Sequence, residues 1–219
     1  AEAFMGGAEL FFQPEALDAI EVLRVPADRA HRPISDPDPN DGYVMGIDVG
    51  SGSGGDYSAI TVLSMRTRQP VYHHLSNDIP PGRYAELALQ VAAKYFQPKI
   101  ILEAQNAGLV VQDRLELAGY PNIYRERASG YKTTGATRPL LFGGLQMAVD
   151  EGTLISADPI LMEQLKQCVV INGRPDHPRG CHDDLMISTA MAYYLLDRTP
   201  ISHVERNWTR SVIDEHKAK

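Results

Sequence analysis

With 219 residues, 43% of them hydrophobic, and a formal net charge of −7, the chain fits one domain of ordinary size with a short appended segment. The acidic balance argues against a polycation that coats nucleic acid indiscriminately, and no stretch approaches the ~20 apolar residues of a membrane span. Cys168 and Cys181 provide no disulfide framework and no secretory signal is evident, so the cytoplasm is the expected compartment.

The first residue is Ala1 rather than methionine, which suggests a processed or excised piece of a longer chain. Residues 1–42 differ from the rest. Phe11 and Phe12 precede a short helix over 14–20 with proline in its first turn. Pro26, Pro33, Pro37 and Pro39, with Asp36, Asp38 and Asp41 among them, then predict a polar linker, and the packed core is expected to start at Tyr43. Strands are predicted over 43–49, 58–65 and 70–76, and the short polar turns between them predict an antiparallel meander.

Tyr84, Leu87, Ala88, Val91, Ala92 and Tyr95 have the spacing of one helix face, with Pro98 just past the helix end. Lys99 to Leu102 is a short apolar run ending at Glu103, a second buried strand, followed by a helix over 108–118 that closes at Gly119. Residues 122–125 read as one more strand, 129–138 as a polar loop, and 139–151 as a helix. Asp158 and Pro159 are the acidic N-cap and first-turn proline of the next helix. Residues 172–180 read as a Gly/Pro loop, 183–197 as the last strong helix, and 201–219 as a polar tail. The order is that of an α/β fold, a mixed central sheet flanked by helices, over 43–200.

Three acidic positions share one kind of placement. Asp48 ends an apolar run and precedes a turn rich in glycine, from Gly50 to Gly55. Glu103 ends a second run, and Asp183 and Asp184 open the last helix. A carboxylate at the end of a buried strand is costly without a partner. If the two strands are parallel neighbours, both acids stand at the carboxyl end of the sheet, where α/β folds place ligands. Crowded carboxylates repel, and a divalent cation relieves that repulsion. Hard oxygen donors suit one or two ions of Mg²⁺ or Mn²⁺, and the chemistry this implies is hydrolysis of a phosphodiester. Ordinary roles stay open for each acid: turn hydrogen bonds for Asp48, a place on the rim for Glu103, a helix N-cap for Asp183, and complementing the helix dipole for Asp184. Over 121–140, the bases Arg125, Arg127, Lys132 and Arg138 outnumber one acid, Glu126, which suits a solvated loop or an anionic partner.

Met45-Gly46-Ile47-Asp48-Val49-Gly50 with Gly54-Gly55-Asp56-Tyr57, Ile101-Leu102-Glu103-Ala104-Gln105-Asn106-Ala107-Gly108, Lys132-Thr133-Thr134 with Arg138-Pro139, and Gly180-Cys181-His182-Asp183-Asp184-Leu185 follow in this order. Together they resemble the nuclease domain of the large terminase subunit of tailed bacteriophages. The resemblance implies an RNase H-like fold and an endonuclease that cuts concatemeric viral double-stranded DNA during genome packaging, in the host cytoplasm. It implies Asp48, Glu103 and the Asp183/Asp184 pair as catalytic metal ligands. Asp184 is the favoured direct ligand, with Asp183 capping the helix or acting behind it. His182 would orient a water or touch the scissile phosphate, and Asp56 matches an acid of the glycine-rich turn. Lys132, Thr133, Arg138 and Arg127 would meet the DNA backbone, with Thr134 adding a phosphate hydrogen bond; such contacts position without reading sequence.

Ala3-Phe4-Met5-Gly6-Gly7 and Leu10-Phe11-Phe12 also resemble the segment joining the packaging ATPase domain to this nuclease. That ATPase domain, the portal ring and the small terminase subunit are the implied partners, with Trp208 and the tail as a docking segment. No Gly-x-x-x-x-Gly-Lys-Ser/Thr occurs in the chain, so the motor lies outside it. A Holliday-junction resolvase or another RNase H-like nuclease would use the same acids. Gly46 to Ser51 also resembles the phosphate-binding turn of an actin-like nucleotide-binding module, of which only one half is found. Cys168, His177, Cys181 and His182 match no common zinc spacing.

Overall fold

The computed structural model describes residues 9–26, 29–126, 130–178 and 180–200. In chain order the elements are α1 (Pro14–Asp18), β1 (Glu21–Val22), β2 (His31–Pro33), β3 (Tyr43–Asp48), β4 (Ser58–Ser64), β5 (Pro70–Ser76), α2 (Pro81–Lys94), β6 (Lys99–Leu102), α3 (Ala107–Leu117), α4 (Arg138–Asp150), β7 (Ser156–Ala157), α5 (Pro159–Gln167), β8 (Val169–Ile171), β9 (Arg174–Asp176) and α6 (Asp184–Leu196). The central sheet has the order β2-β5-β4-β3-β6. Its first four strands are antiparallel and β6 joins β3 in parallel. The expected meander and mixed sheet are both present. Among the described residues no helix is long and apolar enough to cross a membrane.

Strand alternation sorts the core into two layers. Val44 and Ile101 face a cluster built with α4 and α6. Met45, Ile47, Ile100 and Leu102 face the other way, against Tyr84, Ala88 and Val91 of α2 and Val111 and Leu115 of α3. With both faces covered, β3 and β4 are apolar at most positions rather than alternating.

Every residue of α6 is buried, and Leu, Met, Ala and Tyr surround it on all sides. A helix apolar all round belongs in an interior. Its serine and threonine hydroxyls are satisfied there: Ser188 Oγ and Thr189 Oγ1 both lie 2.9 Å from Thr61 Oγ1 of β4, which is also 3.0 Å from His73 Nδ1. Burial pushes His73 down to about 4, so this imidazole is neutral at physiological pH. The helix backbone reaches β3 at Gly46, where a Cβ would collide with the Ser188 carbonyl oxygen and sit 2.8 Å from the Ala192 nitrogen.

The packed core does not begin at Tyr43. Phe12, Leu17 and Ile20 are buried in the same cluster as α4 and α6, β1 pairs with β7, and β2 forms a sheet edge against β5. Arg32 is fully buried, and its Nε and Nη2 reach Asp158 at 2.6 and 2.9 Å. Asp158 also caps α5 as expected, accepting from the Ile160 N–H at 2.9 Å. The prolines of this segment separate short docked elements instead of marking a free linker.

Residues 172–180 likewise depart from the expected loop. β8 and β9 form an antiparallel hairpin with Asn172 and Gly173 at φ of 51° and 72°, the two-residue Asn-Gly turn that matches strand twist. Residues 122–125 supply a single parallel bridge, Ile123 to Ile100, rather than a strand. Ala3 to Gly7, Arg127 and the 201–219 tail with Trp208 lie outside the described residues.

Gly46→Ala should strain the β3–α6 contact by about 2 kcal/mol, lowering the melting temperature by roughly 4–8 °C. Thermal denaturation followed by circular dichroism reads this directly, and an unchanged melt would mean the two backbones are not in contact.

Candidate metal centre

The parallel register pairs Ile47 with Leu102, so Asp48 and Glu103, one residue further along each chain, leave the sheet side by side at its carboxyl end. Both fall on the strand face shared by Val44, Gly46 and Ile101, which meets α6. The first helical residue of α6 is Asp184, and the positive end of the helix dipole favours a carboxylate there. A cleft of about 220 Å³ opens between these elements, lined by Asp48, Asp56, Tyr57, His182, Asp183 and Asp184 among others. Glu103 is not part of that lining, although its charge acts on Asp48. The glycine-rich turn forms its floor: Gly50 donates its N–H to Ser58 Oγ at 3.0 Å, and a Cβ there would press on the Asp56 and Tyr57 carbonyls.

Burial pushes the Asp48 carboxyl well above the usual carboxylate range, and the charges of Asp184, Asp183 and Glu103 add to that push. Burial, with the charge of Asp183, raises Asp184 to about 6. Its Oδ2 is buried with no hydrogen-bond partner, and the His182 Nδ1 lies 3.6 Å away. Asp183 behaves in the opposite way. Burial opposes its ionisation, but His177 Nδ1 at 2.8 Å and Arg138 Nη2 at 3.1 Å outweigh burial and lower its pKa. The Asp183 side chain makes no capping hydrogen bond to α6, contrary to the expected N-cap role, because it turns to these two basic side chains.

Arg138 is turned inward as well. Its Nε donates to the Pro175 carbonyl at 2.7 Å, Nη2 is 3.6 Å from Asp176, and its guanidinium lies over the Phe142 ring. This removes it from the solvent-facing role expected of a DNA-backbone contact. Lys132 is exposed. Thr133 holds a buried Oγ1 without a partner, and Thr134 Oγ1 is used locally, 3.1 Å from Thr137 Oγ1 at the start of α4. His182 packs edge-on against Tyr57, with ring centroids 5.0 Å apart, and keeps about half its side chain exposed.

Three contributors were not legible in the sequence as parts of this site. His177 reaches Asp183 only because the β8–β9 hairpin returns the chain to α6, and the Asn172-Gly173 pair was the signal for that hairpin. Tyr57 walls the cleft, and Gln105 donates to Glu103 Oε1 at 2.9 Å. Cys168 is fully buried in the core while Cys181, His177 and His182 line the cleft, so no zinc set of those four forms.

Among the described residues no three His, Cys, Asp or Glu side chains are already gathered to hold an ion. The carboxylates stand near enough to raise one another, yet apart. A buried, unpartnered Asp184 oxygen near the raised Asp48, with hard carboxylate oxygens from Asp48, Asp56 and Asp184 in one cleft, fits a small divalent cation; both groups are costly as they stand and are relieved by positive charge.

No protein-family model matches the sequence, and no curated protein matches it either. Solved structures do match. The large terminase nuclease from thermophilic phage G20c with bound magnesium is 18% identical with a TM-score of 0.69, over 85% of this chain and 96% of that one. The large terminase nuclease domain of Thermus phage P74-26 is 19% identical with a TM-score of 0.65, over 81% and 92%. The HK97 bacteriophage large terminase is 8% identical with a TM-score of 0.58, and 86% of this chain aligns with 44% of it. The chain has the RNase H-like fold of these nuclease domains.

The folded pKa of Asp184, about 6, lies above its ordinary 3.8, so the folded protein without metal binds this proton more tightly than the unfolded chain. Stability therefore falls as pH rises from about 3.8 through 6 and stays lowered above that range. Asp184→Asn should stabilise the metal-free protein at pH 8 by up to about 3 kcal/mol, with the gain shrinking toward zero near pH 4. Chemical denaturation of both proteins at the two pH values measures it, and the comparison cancels the opposite trend from His73. An equal gap at both values would remove Asp184 as the source.

Proposed function

We propose that this chain is the nuclease domain of a phage large terminase, a divalent-metal-dependent endonuclease that hydrolyses phosphodiester bonds of viral double-stranded DNA during genome packaging. The observation that carries the reading is the register that sets Asp48 beside Glu103, within reach of the charge of Asp184, whose buried Oδ2 has no hydrogen-bond partner, on a fold shared with terminase nucleases.

Asp48, Glu103 and Asp184 would hold one or two ions of Mg²⁺ or Mn²⁺. Such ions, when bound, stabilise the attacking and leaving oxygens as water adds across a P–O bond. Asp183 acts from behind, its charge already met by Arg138 and His177. That pairing fixes the start of α6 and leaves Asp184 as the charge available to a cation. His182 stands over Asp184 at the mouth of the cleft, half exposed, where it can hold a water or meet the scissile phosphate. Asp56 lines the same cleft and adds to its negative field. Lys132 is the backbone contact we retain, with Arg127 a further candidate on the same loop; Thr133, whose Oγ1 is buried, is withdrawn from that role. Arg138 is reassigned from DNA contact to the support of Asp183.

In this reading residues 1–42 follow an ATPase domain of the same polypeptide, the tail serves docking to the portal ring or small subunit, and the protein works in the host cytoplasm. The chain's net charge of −7 implies weak intrinsic DNA affinity, so delivery of DNA falls to those partners.

Supercoiled plasmid incubated with Mg²⁺, Mn²⁺, Ca²⁺ or EDTA tests the chemistry. Wild type is expected to nick and linearise it in Mg²⁺ or Mn²⁺ only, and Asp48→Asn to lose at least about 100-fold in rate. Cleavage by Asp48→Asn at the wild-type rate would sink the site assignment. For the loop, Lys132→Ala should weaken DNA binding and reduce the slope of log affinity against log salt by about 0.9. Fluorescence anisotropy over a salt series reads that slope, and no change would take Lys132 out of the interface.

A further inference from the structure

We infer that Gln105 is a positioning residue that aims the Glu103 carboxylate at the bound cation, an inference that rests on the metal-centre reading above. The Gln105 side-chain amide donates to Glu103 Oε1 at 2.9 Å and lies 3.4 Å from the Thr133 carbonyl oxygen. One amide nitrogen thus ties the end of β6 to the loop that carries Lys132. The backbone repeats the tie: Glu103 bridges Tyr131, and the Ala104 N–H donates to the Tyr131 carbonyl at 2.8 Å.

The turn that places Gln105 is tightly determined. Asn106 adopts φ 47° and ψ −120°, a region that a residue with a Cβ rarely enters and that costs about 1–3 kcal/mol unless its surroundings fix it. Two residues on, Gly108 packs against the Glu103 carbonyl so closely that any Cβ would collide with it, and the Gly108 N–H donates to the Gln105 carbonyl at 2.9 Å. A strained residue and an obligatory glycine together turn the chain back on itself, and the side chain thereby aimed at Glu103 is a neutral donor.

Neutrality is the informative feature. Asp183 shows what a basic partner does: Arg138 Nη2 at 3.1 Å and His177 Nδ1 at 2.8 Å both take up its Oδ2. An amide instead fixes one carboxylate oxygen while leaving the full negative charge and the other oxygen for a metal ion. A lysine or arginine at 105 would compete with the cation, and an apolar residue would leave Glu103 free to swing.

The test is metal binding, not turnover. Gln105→Met keeps length and volume and removes the donor. Isothermal titration of the metal-free protein with Mn²⁺, and with Ca²⁺ as a second probe, should show dissociation constants about tenfold weaker than wild type, with the metal-free melting temperature nearly unchanged. Gln105→Asn retains the amide but falls one methylene short, and should weaken binding similarly; it decides the question if Gln105→Met folds poorly. Gln105→Lys should weaken binding further. Wild-type affinity in the Met and Asn variants overturns the inference. A wild-type protein that binds neither ion defeats the metal-centre reading instead.

Discussion

The contact between β3 and α6 at Gly46 sets the geometry on which the rest depends. With no side chain at 46, the backbone of α6 lies directly on the strand. α6 is buried on every side, so it cannot slide without opening the core. Asp48 lies two residues beyond Gly46 on the same strand face, and Asp184 starts the helix. Their separation is therefore fixed by one backbone contact between two regular elements, which hold functional groups more closely than loops do. Glu103 joins them through the β3–β6 register. The polar network of Thr61, His73, Ser188 and Thr189 fixes the depth of the helix on the sheet without leaving its hydroxyls unpaired.

On that frame, adjacent acids acquire opposite character. Asp183 and Asp184 are neighbours in sequence, but a helix start sends their side chains in different directions. One meets Arg138 and His177 and is held ionised. The other is buried beside the charge of Asp183 and is pushed up to about 6. Two carboxylates whose environments separate their pKa values take different roles: a structural anion that anchors the basic loop and the hairpin, and a frustrated anion that gains from a cation. The division also explains why a conspicuous arginine in a basic loop is not a surface contact.

The sheet, its antiparallel meander and the main helices were legible because each carries a strong local pattern: β-branched apolar runs bounded by glycine-rich turns, and the helical spacing from Tyr84 to Tyr95. The placement of Asp48 and Glu103 at the ends of two such runs, and of Asp183 and Asp184 at a helix start, was legible as well. What escaped was whatever depends on long-range return of the chain. Arg32 in a proline-rich stretch looks solvated, and only the fold places Asp158 against it. His177 sits in what reads as a loop until the Asn172-Gly173 turn folds β9 back along β8 and beside α4, within reach of Asp183. Arg138 reads as a DNA contact until Asp183 and Pro175 are beside it. Local patterns specify elements, whereas partners of charged side chains are set by packing of elements far apart in sequence.

The buried Arg32–Asp158 pair bears on how the domain connects to what precedes it. A buried ion pair is weak support for stability, since an apolar pair of the same size often serves as well, but breaking it by removing one partner costs about 3–5 kcal/mol. Its value is in specifying placement: the guanidinium also binds the Pro26 and Arg29 carbonyls, at 2.7 and 2.9 Å, so it locks the path of the chain just before β2. That strand is the edge of the central sheet, and Asp158 caps the helix leading into the hairpin that ends beside His177. In the terminase reading, the described part of the segment between motor and nuclease is then part of the nuclease core itself: from Glu9, whose carbonyl accepts from the Val170 N–H, it is docked on the domain well before Tyr43.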